Sequence, residues 1–592
     1  MHRIRFAATV AAITSTLTLV ACGSDSVSPT PTGNHPDPQP AVVKSVDVSP
    51  ATASLAIGET KALGATPRDA NGAAIAGRTL SWTSSAATIA KVDANGVVSG
   101  VAAGTATITA TSDGVSGTAA ITVNAPVSVV RAASVSVTTA LDTLEAYDPH
   151  TMQAVVRDSA NNVLAGRTVK WTSSNPAVAT IDANTGMLMG VDRGTVTITA
   201  ESETKTGSAS RVIVIKYRSI TAGSMHACDI ASGGFVWCWG QNGNEGRIGM
   251  ATLGDNAISA TPVLVPNTGY TALRFTQLSS FGIHTCGITA DSRAYCWGSN
   301  SWGRLAAPSS VSQSATPVNV SSTISFKQVS VGSDHSCGLA TDSHAYCWGH
   351  NDWREFGSND PNNTYTPVAI LPNMTFSSIS AGSGFTCGVA TTGTAYCWGQ
   401  SGWGQLGDGS KISYGNTFSA TPVAVASAAG IKSIDGAYSF ACALNVSNQA
   451  LCWGNNGGHL GNGGTTETST PSAVAGGLTF NAISAGNGHV CGVATDASVW
   501  CWGNNDHGQL GVSAPAVATT PVRAGGSLLA AEVAAAGVAA GFGNHTCAIS
   551  RDRLTTYCFG RNETGQLGNG ATSTATASNP LPSIVVGQKP LP

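Results

Sequence analysis

Between residues 220 and 560 the apolar and polar positions fall into a unit that recurs seven times. In Cys286-Gly-Ile-Thr-Ala-Asp-Ser-Arg-Ala-Tyr-Cys296 two apolar arms flank a polar centre, which predicts a β-hairpin. Folding it symmetrically sets Cys286 opposite Cys296 and Ile288 opposite Ala294. Opposed residues have Cβ atoms about 4.5–5.5 Å apart, so modest adjustment suffices for a disulfide. The same pairing is expected for Cys228 and Cys238, Cys337 and Cys347, Cys387 and Cys397, Cys442 and Cys452, Cys491 and Cys501, and, with one extra residue between them, Cys547 and Cys558. A His or Phe stands two residues before the first cysteine. Trp-Gly follows the second, or Phe-Gly in the last copy. A Gly-rich run comes next, complete in Gly503-Asn-Asn-Asp-His-Gly-Gln-Leu-Gly511. No Lys-Ser/Thr and no helical pattern follow it, so it reads as a turn, not a phosphate loop. Thr-Pro-Val then recurs, as at 261–263 and 316–318, and an apolar F-x-x-I strand such as Phe376 to Ile379 leads into the next copy. Four short strands in roughly 50 residues read as a propeller blade, which must stack on its neighbours to bury both faces.

The elements W-G-x-N-x-x-G-Q-L-G, T-P-V and H-x-C resemble the regulator-of-chromosome-condensation repeat in its cysteine-paired secreted form, over about residues 216–592. A second repeat, of period 89 at its start, fills residues 42–215. Trp82-Thr-Ser-Ser matches Trp171-Thr-Ser-Ser, and Gly104-Thr-Ala-Thr-Ile-Thr-Ala matches Gly194-Thr-Val-Thr-Ile-Thr-Ala. Short alternating strands between Asn/Gly turns indicate two β-sandwiches. Their W-x-S-S, D-x-x-G and G-T-x-T-I-T-A elements resemble the bacterial immunoglobulin-like group 2 domain. Trp82 and Trp171 are read as core residues. The expected fold is therefore all-β: immunoglobulin-like domains at 42–125 and 126–215, then a seven-bladed propeller at 216–592. Thr-Pro-type strands follow the Cys pairs at Pro262, Pro317, Pro367, Pro422, Pro471 and Pro521. A seventh stands at Pro580, and none precedes Cys228. The C-terminal strand, Pro580 to Val586, is thus expected to close the ring by completing the blade of Cys228 and Cys238, hiding sheet edges. Ala531 to Ala540, weakly apolar and broken by Glu532 and glycines, reads as an insertion before the seventh His-x-Cys.

Residues 1–21 read as a lipoprotein signal peptide, with His2, Arg3 and Arg5 ahead of an apolar body. Leu19-Val20-Ala21-Cys22 resembles a bacterial lipobox, which implies lipidation at Cys22 and a membrane contact through that anchor. Fourteen of the fifteen cysteines pair downstream, and Cys22 is left over. Gly23 after it implies outer-membrane sorting, hence an envelope location, periplasmic or surface-exposed. The tether at 22–41 holds five prolines and almost nothing apolar. At about 3 Å per residue it spans up to roughly 50–60 Å.

Only 10% of residues are charged and the net charge is −3. No basic stripe stands out, so no nucleic-acid partner is expected. His226, His284, His335, His489 and His545 each share a strand face with a cysteine two residues on, a zinc-like set. Phe385 and Phe440 replace the imidazole while both cysteines remain, which points instead to packed histidines satisfying backbone groups between blades. Asp93, Asp182 and the Gly407-Asp408-Gly409 run read as turns, with calcium left open at the last. Trp302, Trp353 and Trp403 occupy one turn position in three consecutive blades, where others carry Glu245, His507 and Thr564. They form a candidate ligand rim for a glycan or protein. No catalytic motif emerges, and no cofactor is expected. The resembled family is known for nucleotide exchange on a nuclear GTPase, which an exported chain is not expected to perform. Another propeller of the type inhibits β-lactamase. The leading expectation is a non-enzymatic, lipid-anchored binding protein. An enzyme inhibitor and a polysaccharide-acting enzyme are the alternatives.

Overall fold

The computed structural model describes residues 41–587 except 139–140, 251–256, 267–272, 322, 411, 428–429, 536–542 and 575–576. The signal segment, Cys22 and nearly all of the tether lie outside the described residues. The chain divides into two compact units, 1–130 and 131–592.

The first unit holds one β-sandwich. Its larger sheet runs Thr52–Ala56, Val115–Asn124, Gly104–Ser112, Ser81–Ser84 in spatial order, with Thr52–Ala56 parallel to its neighbour. Alternation in Gly104–Ser112 turns Ala106, Ile108 and Ala110 into the core and the threonines outward. Gly96, at φ 81°, ends the Asp-Ala-Asn-Gly turn against the Trp82 ring. A Cβ there would stand 2.7 Å from the indole, so the turn needs glycine. The sandwich at the start of the second unit repeats this plan. Trp171 is buried in it, and Gly186 meets its ring in the same way.

The propeller consists of seven four-stranded antiparallel sheets. Blade one takes its strands in chain order from Tyr217–Ala222, His226–Ala231, Phe235–Gln241 and Ile258–Leu264. In blade two Cys286 opposes Cys296 and Ile288 opposes Ala294. Disulfides join all seven cysteine pairs within their own hairpins. In the last hairpin Cys547 still opposes Cys558, because the additional residue is taken up in the turn between Ser550 and Thr555. The Thr-Pro strands form the outer edges, where a residue without an N–H offers a foreign strand one donor fewer.

Two expectations are overturned. The tail strand, Ser583–Ile584, pairs with Thr556–Gly560 and completes blade seven, not blade one. The reason is uniform: each Thr-Pro strand pairs with the hairpin that precedes it, as Val263 does with Cys238. Blade one therefore needs no borrowed strand. Nor is 531–540 an insertion over its described part. Ala530–Ala535 is the inner strand of blade seven, with Ala530 and Val533 at the F-x-x-I positions; residues 536–540 lie outside the described residues.

Blade seven meets blade one through side chains. The Glu532 carboxylate accepts from Ile220 N–H (2.9 Å) and Ser219 Oγ (3.1 Å), and Thr556 Oγ1 donates to Asp229 (3.0 Å). The same device recurs between other inner strands. Ser279, Ser330, Ser380 and Asp435 each cap an edge N–H of the following blade. Edge donors are thus satisfied without strand exchange.

Candidate functional site

Two ladders of inter-blade bonds fix the ring. The Trp after the second cysteine is fully buried in blades one to six, and its Nε1–H donates to a turn carbonyl of the preceding blade. Trp239 reaches Gln566, Trp297 reaches Arg247 and Trp398 reaches Glu355, at 3.0, 3.1 and 2.7 Å. The histidines form the second ladder. His226, His284, His335 and His489 place Nε2 at 2.8–2.9 Å from Thr285, Ser336, Thr386 and Thr546 of the next blade. The expected backbone partner is therefore a hydroxyl. Phe385 and Phe440 instead share hydrophobic clusters with Ala441 and Val490 of the next blade. His545 faces blade one, where the matching residue is Ala227. Burial holds His226, His335, His489 and His545 down to about 3, so these rings are neutral. The cysteines beside them are spent in disulfides, and no metal-binding group of His, Cys, Asp or Glu forms among the described residues. Asp93, Asp182 and Asp408 accept backbone N–H groups of their own turns.

The same turns build the candidate site. In an antiparallel blade, turns after strands one and three share one propeller face, and hairpins after strand two lie on the other. On the first face, Trp353 and Trp403 line a cavity of about 200 Å³ with His350, Glu355, Gln400 and Tyr438. Trp302 does not line it; its ring meets His350 edge-on at 5.5 Å. Beyond Trp403, Tyr414 lies edge-on at 5.4 Å, and the Arg354 guanidinium sits 4.8 Å over Phe418. Trp302, Tyr414, Phe418 and Tyr438 are 48, 62, 44 and 47% exposed. Among the described residues they are the exposed aromatic side chains, and all four border this cavity or its neighbours. An aromatic surface left in water at one place makes this cavity the candidate contact site.

The polar groups of the cavity come from one exchange in the repeat. In blades four, six and seven a glutamine two residues past the turn accepts the turn N–H, as Gln405 does from Trp403 (2.8 Å). Blade three has Glu355 there. One oxygen takes Trp353 N–H (3.0 Å) and the other faces His350 Nδ1 (2.8 Å). Burial raises the Glu355 pKa, partly offset by the imidazole. At His350 burial opposes the charged form, but Glu355, Asp352 and Asp334 together outweigh it and raise the pKa. Asp334 in turn pairs with Arg304 at 2.5 Å. The cavity thus combines stacking walls with hydrogen-bonding groups that hold one another in place. The sequence reading located the tryptophans but missed His350, Glu355 and Tyr438. Glu355 had a signal, as the one acid in the Gln column of the turn.

The second immunoglobulin-like domain docks on the opposite face. Tyr147 meets Phe235, in the strand-two hairpin of blade one, edge-on at 4.7 Å. Arg193 donates to the Tyr217 hydroxyl at 3.0 Å, and Glu145 pairs with Arg218 at 2.6 Å.

Residues 184–543 match the model of the RCC1-like domain. Residues 42–123 and 132–213 each match that of the bacterial Ig-like domain (group 2). Yeast RCC1 (Prp20), solved bound to Kap60, shares the fold with a TM-score of 0.53 at 20% identity, over 62% of this chain and 86% of that one. Prp20p from Saccharomyces cerevisiae, in another structure, gives 0.52 at 18% identity, over 63% and 88%. The human probable E3 ubiquitin-protein ligase HERC6 is 27% identical over 134 residues, which is 22% of this chain and 13% of that protein. An Ig-like virion protein of Serratia phage KSP90 is 35% identical over 172 residues, 28% of this chain and 62% of that protein. The chain spans less than two thirds of either relative.

Proposed function

This chain belongs to the RCC1-like domain family, and on that premise we propose that it is a non-enzymatic binding protein of the cell envelope or cell surface. The propeller is its head, the immunoglobulin-like domains form its stalk, and a lipid on Cys22 anchors it. The ligand is a protein or glycan, taken by the aromatic cavity of blades three and four. One observation carries this reading. The exposed aromatics gather on the propeller face that points away from the docked immunoglobulin-like domain. Trp353 and Trp403 supply stacking area at low entropic cost, while His350, Glu355 and Gln400 supply directional hydrogen bonds. Seven disulfides suit an oxidising compartment outside the cytoplasm. The lipobox resemblance around Cys22 supports anchorage.

The test is a glycan array and an envelope pull-down with the parent chain and with Trp353→Ala/Trp403→Ala. A retained ligand that the double variant loses, at an unchanged thermal midpoint, is the expected result. Equal retention by both proteins would remove the cavity from the reading. Turnover of a captured glycan would replace binding by catalysis.

A further inference from the structure

A second cleft, of about 670 Å³, opens where the second immunoglobulin-like domain meets the propeller. It lies on the face opposite the aromatic cavity. Lys216, Arg218, Arg274 and Arg553 line it against a single carboxylate, Glu145. Four cations less one carboxylate leave an excess of three positive charges there, on a chain whose net charge is −3. Glu145 is already engaged by Arg218 at 2.6 Å and Lys216 at 3.7 Å. Arg553 donates to the carbonyls of Tyr217 (3.2 Å) and Arg218 (2.9 Å), and beyond the lining its charge acts on the buried Glu532 carboxylate. Arg274 lies 3.9 Å over the Phe235 ring, and its Nη1 has no hydrogen-bond partner. The walls are held in place by the Tyr147–Phe235 contact and by Tyr217 N–H donating to Arg553 O at 2.8 Å.

We infer that this cleft binds a ligand bearing two or more phosphate groups. Guanidinium forks match phosphate oxygens in pairs. An excess of positive charge along a preorganised wall, with four cations facing one lining carboxylate, suits more than one phosphate. The volume falls in the range of small-molecule sites, roughly 300–1,000 Å³, which is larger than a single ion requires. The inference rests on a different surface and a different chemistry from the aromatic cavity, so each stands or falls alone.

The experiment titrates the full chain with tripolyphosphate by calorimetry at low salt. Saturable binding is expected, weakening by about tenfold or more at physiological salt, where screening acts within roughly 8 Å. Thr276 is an exposed residue of the cleft wall. Thr276→Asp should weaken binding at least about tenfold through charge repulsion, with a change in thermal midpoint no larger than that of Thr276→Val, which loses the same hydroxyl bond to Ile288 O (3.2 Å) without adding charge and should bind as the parent does. Arg274→Gln should weaken binding comparably to Thr276→Asp. Phosphatidylglycerol vesicles set against neutral vesicles tell a lipid headgroup from a free phosphate source. Three results would overturn the inference: no saturable binding at low salt, undiminished binding by Thr276→Asp, or citrate binding as tightly as tripolyphosphate.

Discussion

The histidine ladder makes a prediction that the molecule has already rehearsed in its own repeats. His335 is fully buried and donates from Nε2 to Thr386 Oγ1 at 2.9 Å, while Thr386 donates to Glu355 O at 2.8 Å. Thr386→Val leaves the imidazole N–H without an acceptor, which costs about 1–3 kcal/mol. Glu355 O keeps its bond from Trp398 Nε1 at 2.7 Å, so the carbonyl adds little to that figure. His335→Phe leaves the Thr386 hydroxyl donating to Glu355 and loses one bond, about 0.5–1.5 kcal/mol. The double variant recreates the pairing of Phe440 with Val490 and leaves no orphan. The niche accepts a benzene ring, because Gly382 walls Phe385 as Gly332 walls His335. The two changes should therefore fall short of additivity by about 1 kcal/mol. Acid sharpens the contrast. The folded pKa of His335 is depressed to about 3 from 6.5. Below pH 6.5 the unfolded chain binds the proton that the folded ring refuses. Stability from this group is therefore present above pH 6.5 and falls by about 1.4 kcal/mol per unit as pH drops toward 3. At pH 5 that is about 2 kcal/mol, and the double variant should be spared this loss. Urea unfolding followed by tryptophan fluorescence at pH 7.5 and 5.0 reads both effects. Strict additivity, or a double variant as acid-sensitive as the parent, would refute the ladder.

Glu532→Ala should destabilise the junction of blades seven and one by about 1–3 kcal/mol, since Ile220 N–H loses its acceptor, with Glu532→Gln much milder; a heat-denaturation midpoint equal to the parent's would count against side-chain closure. Deleting 578–592 removes the bonds of Asn579 and Ser583 to blade seven, so hydrogen exchange should rise at 556–560 while blade one stays protected. Faster exchange in blade one instead would reinstate strand exchange as the closing device. Cys22→Ser should release the chain from membranes; retention after a high-salt wash would contradict lipid anchorage.

What the sequence made legible follows from where each constraint lies. The cysteine register was readable because a hairpin's turn length fixes which residues oppose each other. Closure was misread because counting Thr-Pro strands does not say which sheet each joins. The inner strand of blade one was present as Tyr217-Arg-Ser-Ile220, a variant of F-x-x-I, and that of blade seven was masked by alanines at Ala530 and Ala531. The partner of each histidine lies about one repeat away, so no single copy displays it. Aligned copies do, because four of the five histidines travel with Thr or Ser one repeat on, His545 with Ala227 being the exception, and Phe385 and Phe440 with Ala441 and Val490. The cavity was half legible. Its tryptophans share one turn column, but Tyr438 comes from a turn between the first two strands of the next blade, and only folding brings it across.

The scaffold also bears on the ligand site proposed at blades three and four. A repeat must keep the residues that latch one blade to the next, here the buried Trp, the disulfide and the inner-strand cap. Turn columns that latch nothing are free to diverge. In the Gln column most blades retain a capping amide or a base, whereas blade three carries Glu355, still capping Trp353 N–H and also holding His350. Glutamine caps the same turn N–H in blades four, six and seven, so what the carboxylate adds is its hold on His350, against a burial that opposes its charge. A charge that the cap itself does not require supports the proposal that its polarity serves a ligand. Its place beside two tryptophans and an exposed tyrosine, on the face turned away from the docked domain, is where a bound ligand would use it.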